Sequence, residues 1–191
     1  LLDSMPHLGG EVDVLRAIQA LPGVKTSSEM SSALHVRGGS PDMTLIRMDQ
    51  STVYNPSHLY GVFSTFNGDA VKRIEVMKGG FPAEYGGRAG SVVEVITREG
   101  NRKKLSGTVG ISIISARAAL EGPLPAKRGS FAFSGRRTYF EPILELVRQQ
   151  SDGLQDLPDY SFHDLNGKLN IDLSPVTTLT VGGYSGQDDS W

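Results

Sequence analysis

V-K-R-I-E-V-M-K-G-G-F-P-A-E-Y-G-G-R-A-G-S-V-V-E-V-I-T, residues 71–97, is the stretch from which the fold is read. It has the form strand, glycine-rich loop, strand. Ile74, Val76 and the aliphatic stem of Lys78 recur at period two, with Glu75 and Met77 on the other face. Residues 92–97 are β-branched nearly throughout, which suits a strand covered on both faces. Between the two runs lie Gly79, Gly80, Gly86, Gly87 and Gly90, with Pro82 and Tyr85, a density that permits positive φ and close backbone approach. A phosphate-cradling loop is excluded. No G-x-x-x-x-G-K-S/T or G-x-G-x-x-G follows the first strand, and no helical pattern opens after the loop.

The whole chain agrees with a turn-rich β protein. Its 23 glycines in 191 residues exceed the average usage of ~7%. A net charge of -2 suggests neither a nucleic-acid binder nor a disordered acidic tail. With no cysteine there is no disulfide framework and no thiolate metal site. No apolar run approaches the ~20 residues of a membrane-spanning helix. Residues 1–6 lack the basic start and apolar core of a signal peptide, so any export signal is expected upstream.

Upstream of residues 71–97, the spacing of Val12, Leu15, Ile18 and Leu21 predicts an amphipathic helix over 10–21, with Glu11 and Asp13 in its first turn and Pro22-Gly23 at its end. A serine-rich loop over 25–32 leads to a strand over 33–37, stopped by Gly38-Gly39. A hairpin follows, rising over 43–48, turning at 49–51 and returning over 52–54. Residues 54–67 mix aromatic and polar side chains, as a surface touching a ligand does. There, Leu59, Val62, Phe63 and Phe66 are expected to pack inward, whereas Tyr54, Asn55, His58 and Tyr60 are candidate ligand-facing residues.

After the polar break at 101–104 the pattern changes. Val109, Ile111 and Ile113 face one way and Ile114, Ala116, Ala118 and Leu120 then take over, which predicts a bulge or switch near 112–115. Phe131 and Phe133 mark a further strand, and 141–150 is helix-like. Leu165, Leu169, Ile171 and Leu173 alternate with Asn166, Lys168, Asn170 and Asp172, and Leu179 and Val181 carry a last strand. Strands of about ten residues with one apolar and one polar face fit a transmembrane barrel. They also fit a soluble antiparallel sheet with one wet face, and periodicity alone does not separate the two.

Residues 71–97 resemble the plug domain of TonB-dependent outer-membrane transporters at Ile74-Glu75-Val76, Lys78-Gly79, Tyr85-Gly86, Ala89, Val92 and Ile96-Thr97. The resemblance extends over about residues 9–100 through the helix leading to Pro22-Gly23-Val24, through Val36-Arg37-Gly38-Gly39, and through Leu45 to Asp49. Gln50 stands where glycine is usual, so the hairpin turn is expected to differ slightly. The Y-N-P-x-H-L-x-G form of residues 54–61 resembles Bacteroidetes-type receptors in particular.

The resemblance implies an α+β plug domain, a small mixed sheet with short helices, over 1–102. The first antiparallel strands of a transmembrane β-barrel follow over 103–191. About four strands cannot close around a plug, since such a lumen needs about 22, so the chain is expected to be the N-terminal portion of a larger protein. Arg117, Glu121, Arg136, Arg137 and Lys168 are then expected to face the polar lumen.

The implied activity is energy-coupled import across the bacterial outer membrane, with the plug gating the lumen. The implied partners are TonB, through a segment N-terminal to these residues, outer-membrane lipid, and a surface lipoprotein as a candidate. Arg37, Lys78 and Arg88 are the expected plug–barrel polar contacts. No H-E-x-x-H, G-x-S-x-G or readable acid–base pair is present, and the four histidines are scattered. Catalytic residues, a metal and cofactors are therefore not expected. The alternative of a different class is a soluble periplasmic binding or adhesion module using residues 54–60.

Overall fold

The computed structural model describes residues 7–8, 10–26, 28, 31–139, 145, 148 and 159–190. It divides into two units, 1–99 and 100–191. The expected helix over 141–150 lies outside the described residues except for Glu145 and Arg148, both helical.

In the first unit, β1 (His7–Leu8) pairs antiparallel with β2 (Glu11–Val12), and α1 spans Val14–Gln19. The helix is therefore shorter than its apolar spacing suggests. Asp13 is its N-cap rather than a first-turn residue, because its carboxylate accepts the Arg16 N–H at 3.0 Å. The other carboxylate oxygen accepts the Ser64 N–H at 2.9 Å. Asp13→Ala is expected to cost about 2–4 kcal/mol, about 1 from the cap and about 1–3 from the buried Ser64 donor left alone. Denaturant unfolding of the purified protein measures it.

β3 (Val24–Lys25) pairs with β4 (His35–Val36), so only the middle of the expected 33–37 strand is paired. The central sheet has the order β6-β5-β10-β9, from β5 (Thr44–Met48), β6 (Ser51–Thr52), β9 (Val71–Met77) and β10 (Ser91–Thr97). β7 (Ser57–His58) and β8 (Phe63–Ser64) form a separate small ladder. β10 is parallel to β5 and antiparallel to β9. Its valines are buried on both faces, as its composition requires. Val93 and Val95 pack in one core with Leu15, Ile18, Leu34 and Phe66.

The β5–β6 turn shows what replaces the missing glycine. Asp49 and Gln50 both have positive φ, 47° and 71°, as a two-residue type I′ hairpin needs. Neighbours hold Gln50 there: its N–H donates to Glu94 at 2.7 Å, and the Arg47 guanidinium donates to its carbonyl at 2.7 Å. Asp49 accepts the Thr97 N–H at 3.0 Å. The glycine-type geometry is thus kept without glycine. Gln50→Gly is expected to raise stability by about 0.5–1 kcal/mol, the left-handed strain relieved less the added freedom of the unfolded chain. A shifted denaturation midpoint with an unchanged slope is the readout.

The second unit is an antiparallel meander of five strands rather than about four. These are β11 (Ser106–Ile111), β12 (Ser115–Pro123), β13 (Gly129–Thr138), β14 (Tyr160–Ser174) and β15 (Thr177–Ser190). The phase change near 112–115 is a chain reversal, not a bulge. The Ser112 N–H donates to the Ser115 carbonyl at 2.8 Å, and Ser112 Oγ lies 2.9 Å from Ser115 Oγ. Short turns at 124–128 and 175–176 share one end of the meander, and the long 139–159 connection lies at the other.

The two faces of this sheet are inverted relative to a water-soluble one. Asp164 is 0% exposed, with Arg136, Lys168 and Asn170 also buried, whereas the neighbouring Leu165 is 57% exposed. Val109, Leu120, Phe133, Leu173 and Val181 are exposed as well. The cross-strand register places Leu120, Phe133 and Gly167 in one row and Phe131, Leu169 and Val181 in the next, so the apolar face is continuous. From Leu165 to Leu173, eight steps of about 3.3 Å run about 26 Å along the strand, or about 20 Å of height at a tilt of about 40°. Outer-membrane barrels carry an apolar band of comparable height, about 25 Å.

Alternation corrects one expectation. Arg136 is on the buried polar face, so Arg137 falls on the other. It sits exposed in a row with Ala116, His163 and Gln187, beyond the last leucine.

Candidate functional site

Residues 54–66 form a braced loop. The ladder of β7 and β8 holds its base, and the Thr65 N–H donates to the Pro56 carbonyl at 2.9 Å. The Ser32 N–H donates to the Gly61 carbonyl at 2.6 Å, and Asp13 ties in Ser64 from below. Phe63 and Phe66 are buried, and Leu59 and Val62 half-buried. Above this base the chain passes through three successive left-handed residues, Leu59 (φ 47°), Tyr60 (φ 53°) and Gly61 (φ 98°). Two of these carry side chains that disfavour that region.

The strained turn carries Tyr60 outward, 99% exposed, with Tyr54 87% exposed and Asn55 exposed. His58 is only 4% exposed, so it is buried whereas the three others reach solvent. A tyrosine held in a left-handed conformation yet surrounded by solvent stabilises nothing in its own unit. Its ring is a rigid, amphipathic contact surface at low entropic cost, able to stack on a flat ligand and to offer a hydroxyl.

The three expected plug cations are each placed by their own unit. Lys78 Nζ donates to the Pro22 carbonyl, and Arg88 Nη1 to the Asp42 carbonyl. Arg37 follows β4 at φ 50°, with its N–H donating to the Gly23 carbonyl at 2.8 Å. The Ser40 hydroxyl holds the exposed Asp42 carboxyl below its ordinary pKa, with Arg88 adding a smaller Coulombic pull.

A further cluster was not singled out from the sequence. Arg47 pairs with buried Glu94 at 3.2 Å and lies under the Tyr85 ring, 5.0 Å from its centroid. The glycine-rich loop is thereby pinned to the sheet through Tyr85. The signal was the parallel register that sets Glu94 opposite Arg47, invisible until β5 and β10 are paired.

On the polar face of the second unit, Arg117, Arg136 and Asp164 share one cross-strand row. Arg136 Nε donates to Asp164 at 3.0 Å, Tyr184 Oη donates to the same carboxylate at 2.7 Å, and the Arg136 guanidinium stacks 4.9 Å from the Phe162 centroid. Glycines flank the row. A methyl at Gly110 would meet Arg117 Nε at 2.6 Å, and one at Gly186 would overlap the Tyr184 hydroxyl. Among the described residues no group of His, Asp or Glu is arranged to hold a metal ion.

A small mixed-sheet unit with an aromatic loop, joined to a meander that exposes its apolar face, defines a class: outer-membrane receptors with a plug. Comparison with known proteins agrees. Residues 5–93 match the model of the TonB-dependent receptor plug domain. The chain is 28% identical over 192 residues to the ferric enterobactin receptor PirA of Pseudomonas aeruginosa, covering 91% of this chain and 24% of that protein. It is 29% identical over 199 residues to the iron-regulated outer membrane virulence protein of Vibrio cholerae, covering 92% of this chain and 29% of that one. The crystal structure of the siderophore receptor PirA from Pseudomonas aeruginosa superposes with a TM-score of 0.64 at 27% identity, covering 92% of this chain and 32% of that chain.

Residues 5–93 are thus matched by the TonB-dependent receptor plug domain, and the chain as a whole is similar to receptors of the bacterial outer membrane. It spans about a quarter of the length of these curated relatives. They come from Pseudomonas and Vibrio and are receptors rather than enzymes, so they lend no support to a Bacteroidetes-type sub-group.

Proposed function

We propose that this chain is the plug and first barrel strands of a receptor that imports a ferric siderophore, drawing energy through TonB. The observation that carries the membrane part is the inverted sheet, with buried Asp164, Arg136 and Lys168 on one face and exposed leucines on the other. In water that arrangement would waste apolar burial and desolvate charge. Against lipid it reverses sign, because charge at mid-bilayer costs roughly 2–4 kcal/mol. The same exposure disfavours a soluble periplasmic module. The ligand class rests on the relatives, whose names specify ferric enterobactin and iron regulation.

In this reading the domains are a plug over about 1–102 and barrel strands from about 103, and the chain performs no catalysis. The plug gates the lumen, and TonB acts on a segment N-terminal to these residues. Tyr54, Asn55 and Tyr60 face the ligand, with His58 supporting them. Arg37, Lys78 and Arg88 make polar contacts to the barrel wall that release more cheaply than an apolar core. The Bacteroidetes-type sub-group rests on the form of residues 54–61 alone, and a surface lipoprotein stands only as a candidate partner.

The test is uptake. Deleting the gene should abolish accumulation of radiolabelled iron supplied as ferric enterobactin under iron limitation, and a plasmid copy should restore it only where TonB is present. Unchanged accumulation in the deletion strain rejects the ligand, and restoration without TonB rejects the coupling. Reversing the charge of Arg37 and Lys78 together is expected to raise passive entry of a large antibiotic, read as a lowered inhibitory concentration.

A further inference from the structure

We propose that the outward face of the meander, at its long-connection end, binds the headgroup phosphate of a lipid in the outer leaflet. The register sets Arg137, His163 and Gln187 side by side on β13, β14 and β15, and Ala116 and Ile111 complete the row on β12 and β11. Strands about 4.8 Å apart thus bring three side chains with N–H donors next to one another. Arg137 and Gln187 are exposed, and His163 is half-buried.

Two successive arginines meet opposite surroundings. Arg136 is on the buried face, where Nε donates to Asp164 at 3.0 Å. Arg137 is on the outward face, and among the described residues no ion pair or side-chain hydrogen bond engages its guanidinium. No carboxylate shares its row. On β15, Asp189 falls one row further out on the same face and already accepts from Gln187 Nε2 at 2.7 Å, which leaves Gln187 a second amide hydrogen. The row therefore presents a planar guanidinium fork with no protein anion of its own, the group that takes a phosphate through two parallel hydrogen bonds.

Height along the strand selects a lipid over a free anion. His163 stands ten residues from Leu173 on β14, about 33 Å along the strand and about 25 Å of height at a tilt of about 40°. That is the full height of the apolar band of such barrels, so the row lies at the edge of the band, at the level of headgroup phosphates. Leu165, the next outward residue on β14, is 57% exposed, and Ile111 at the end of the row is 80% exposed, so acyl chains have apolar surface directly below the donors. The long 139–159 connection leaves from this end, and long connections mark the extracellular side, so the lipid belongs to the outer leaflet. This rests on the membrane reading of the outward face, which fails separately if the purified protein stays monodisperse without detergent.

The test is native mass spectrometry of the full-length receptor in detergent, with bis-phosphorylated lipid A, the same lipid stripped of its phosphates, or inorganic phosphate added. The phosphorylated lipid should be retained over the stripped one. Its retention should fall about tenfold in Arg137→Gln, the loss of one charge-assisted contact, and hold in Arg128→Gln, which removes an exposed charge at the opposite end of the same strands. Equal loss in both variants, no loss in either, equal retention of the stripped lipid, or displacement of the lipid by an equal concentration of inorganic phosphate would overturn the proposal. Matching heat-modifiability on gels confirms that both variants fold.

Discussion

Replacing Asp164 by Ala is expected to cost about 3–5 kcal/mol, the largest stability loss of any single change outside the core. The carboxylate is fully buried and accepts from the Arg136 guanidinium and the Tyr184 hydroxyl. The register sets Arg117 beside Arg136 on the next strand, so Asp164 is the anion of that row. Without it, the buried Arg136 guanidinium loses its carboxylate partner while a like charge stays beside it. Replacing both partners by apolar groups of similar volume, Arg136→Met with Asp164→Leu, should cost less than either single change, since the Arg136 charge is removed together with its carboxylate. Urea unfolding in lipid vesicles reads both. A single Asp164→Ala within about 1 kcal/mol of the parent would show that water reaches the row and screens it.

Removing both rings, Tyr54→Ala with Tyr60→Ala, is expected to weaken ferric siderophore binding about 10- to 100-fold. Each aromatic contact contributes about 0.5–1.5 kcal/mol beyond area, and about 1.4 kcal/mol is a factor of ten. Stability should not fall, because both side chains are almost wholly in solvent. Tyr60→Gly separates the two roles further. It removes the ring and relieves the left-handed backbone at once, so binding should drop while the unfolding midpoint rises. Tyr60→Phe should keep most of the stacking. A Tyr60→Gly protein that binds as tightly as the parent would show that the strained turn serves something other than the ligand.

These expectations locate what the sequence could and could not say. The glycine-jointed strands of residues 71–97 were readable because β-branched runs and glycines act locally, through φ and period two, and need no partner to be recognised. The two-faced strands after residue 104 were readable for the same reason. The helix start was misjudged because Asp13 reads equally as a first-turn acid or a cap, and only the Arg16 N–H bonded to its carboxylate decides between them. The reversal at Ser112–Ser115 resembled a bulge because both shift the phase of alternation, and only pairing tells a turn from an inserted residue.

By itself, then, the sequence carried the resemblance to a plug domain and told which residues alternate. Those properties follow from local conformation and from spacing along one chain. Tertiary structure alone decided which face of the meander is buried, that Arg136 and Arg137 part company, that His58 is buried while Tyr54 and Tyr60 are exposed, and that Glu94 meets Arg47. Each of these depends on which strand lies beside which and on what surrounds the sheet, and burial and charge pairing act between segments far apart in the chain.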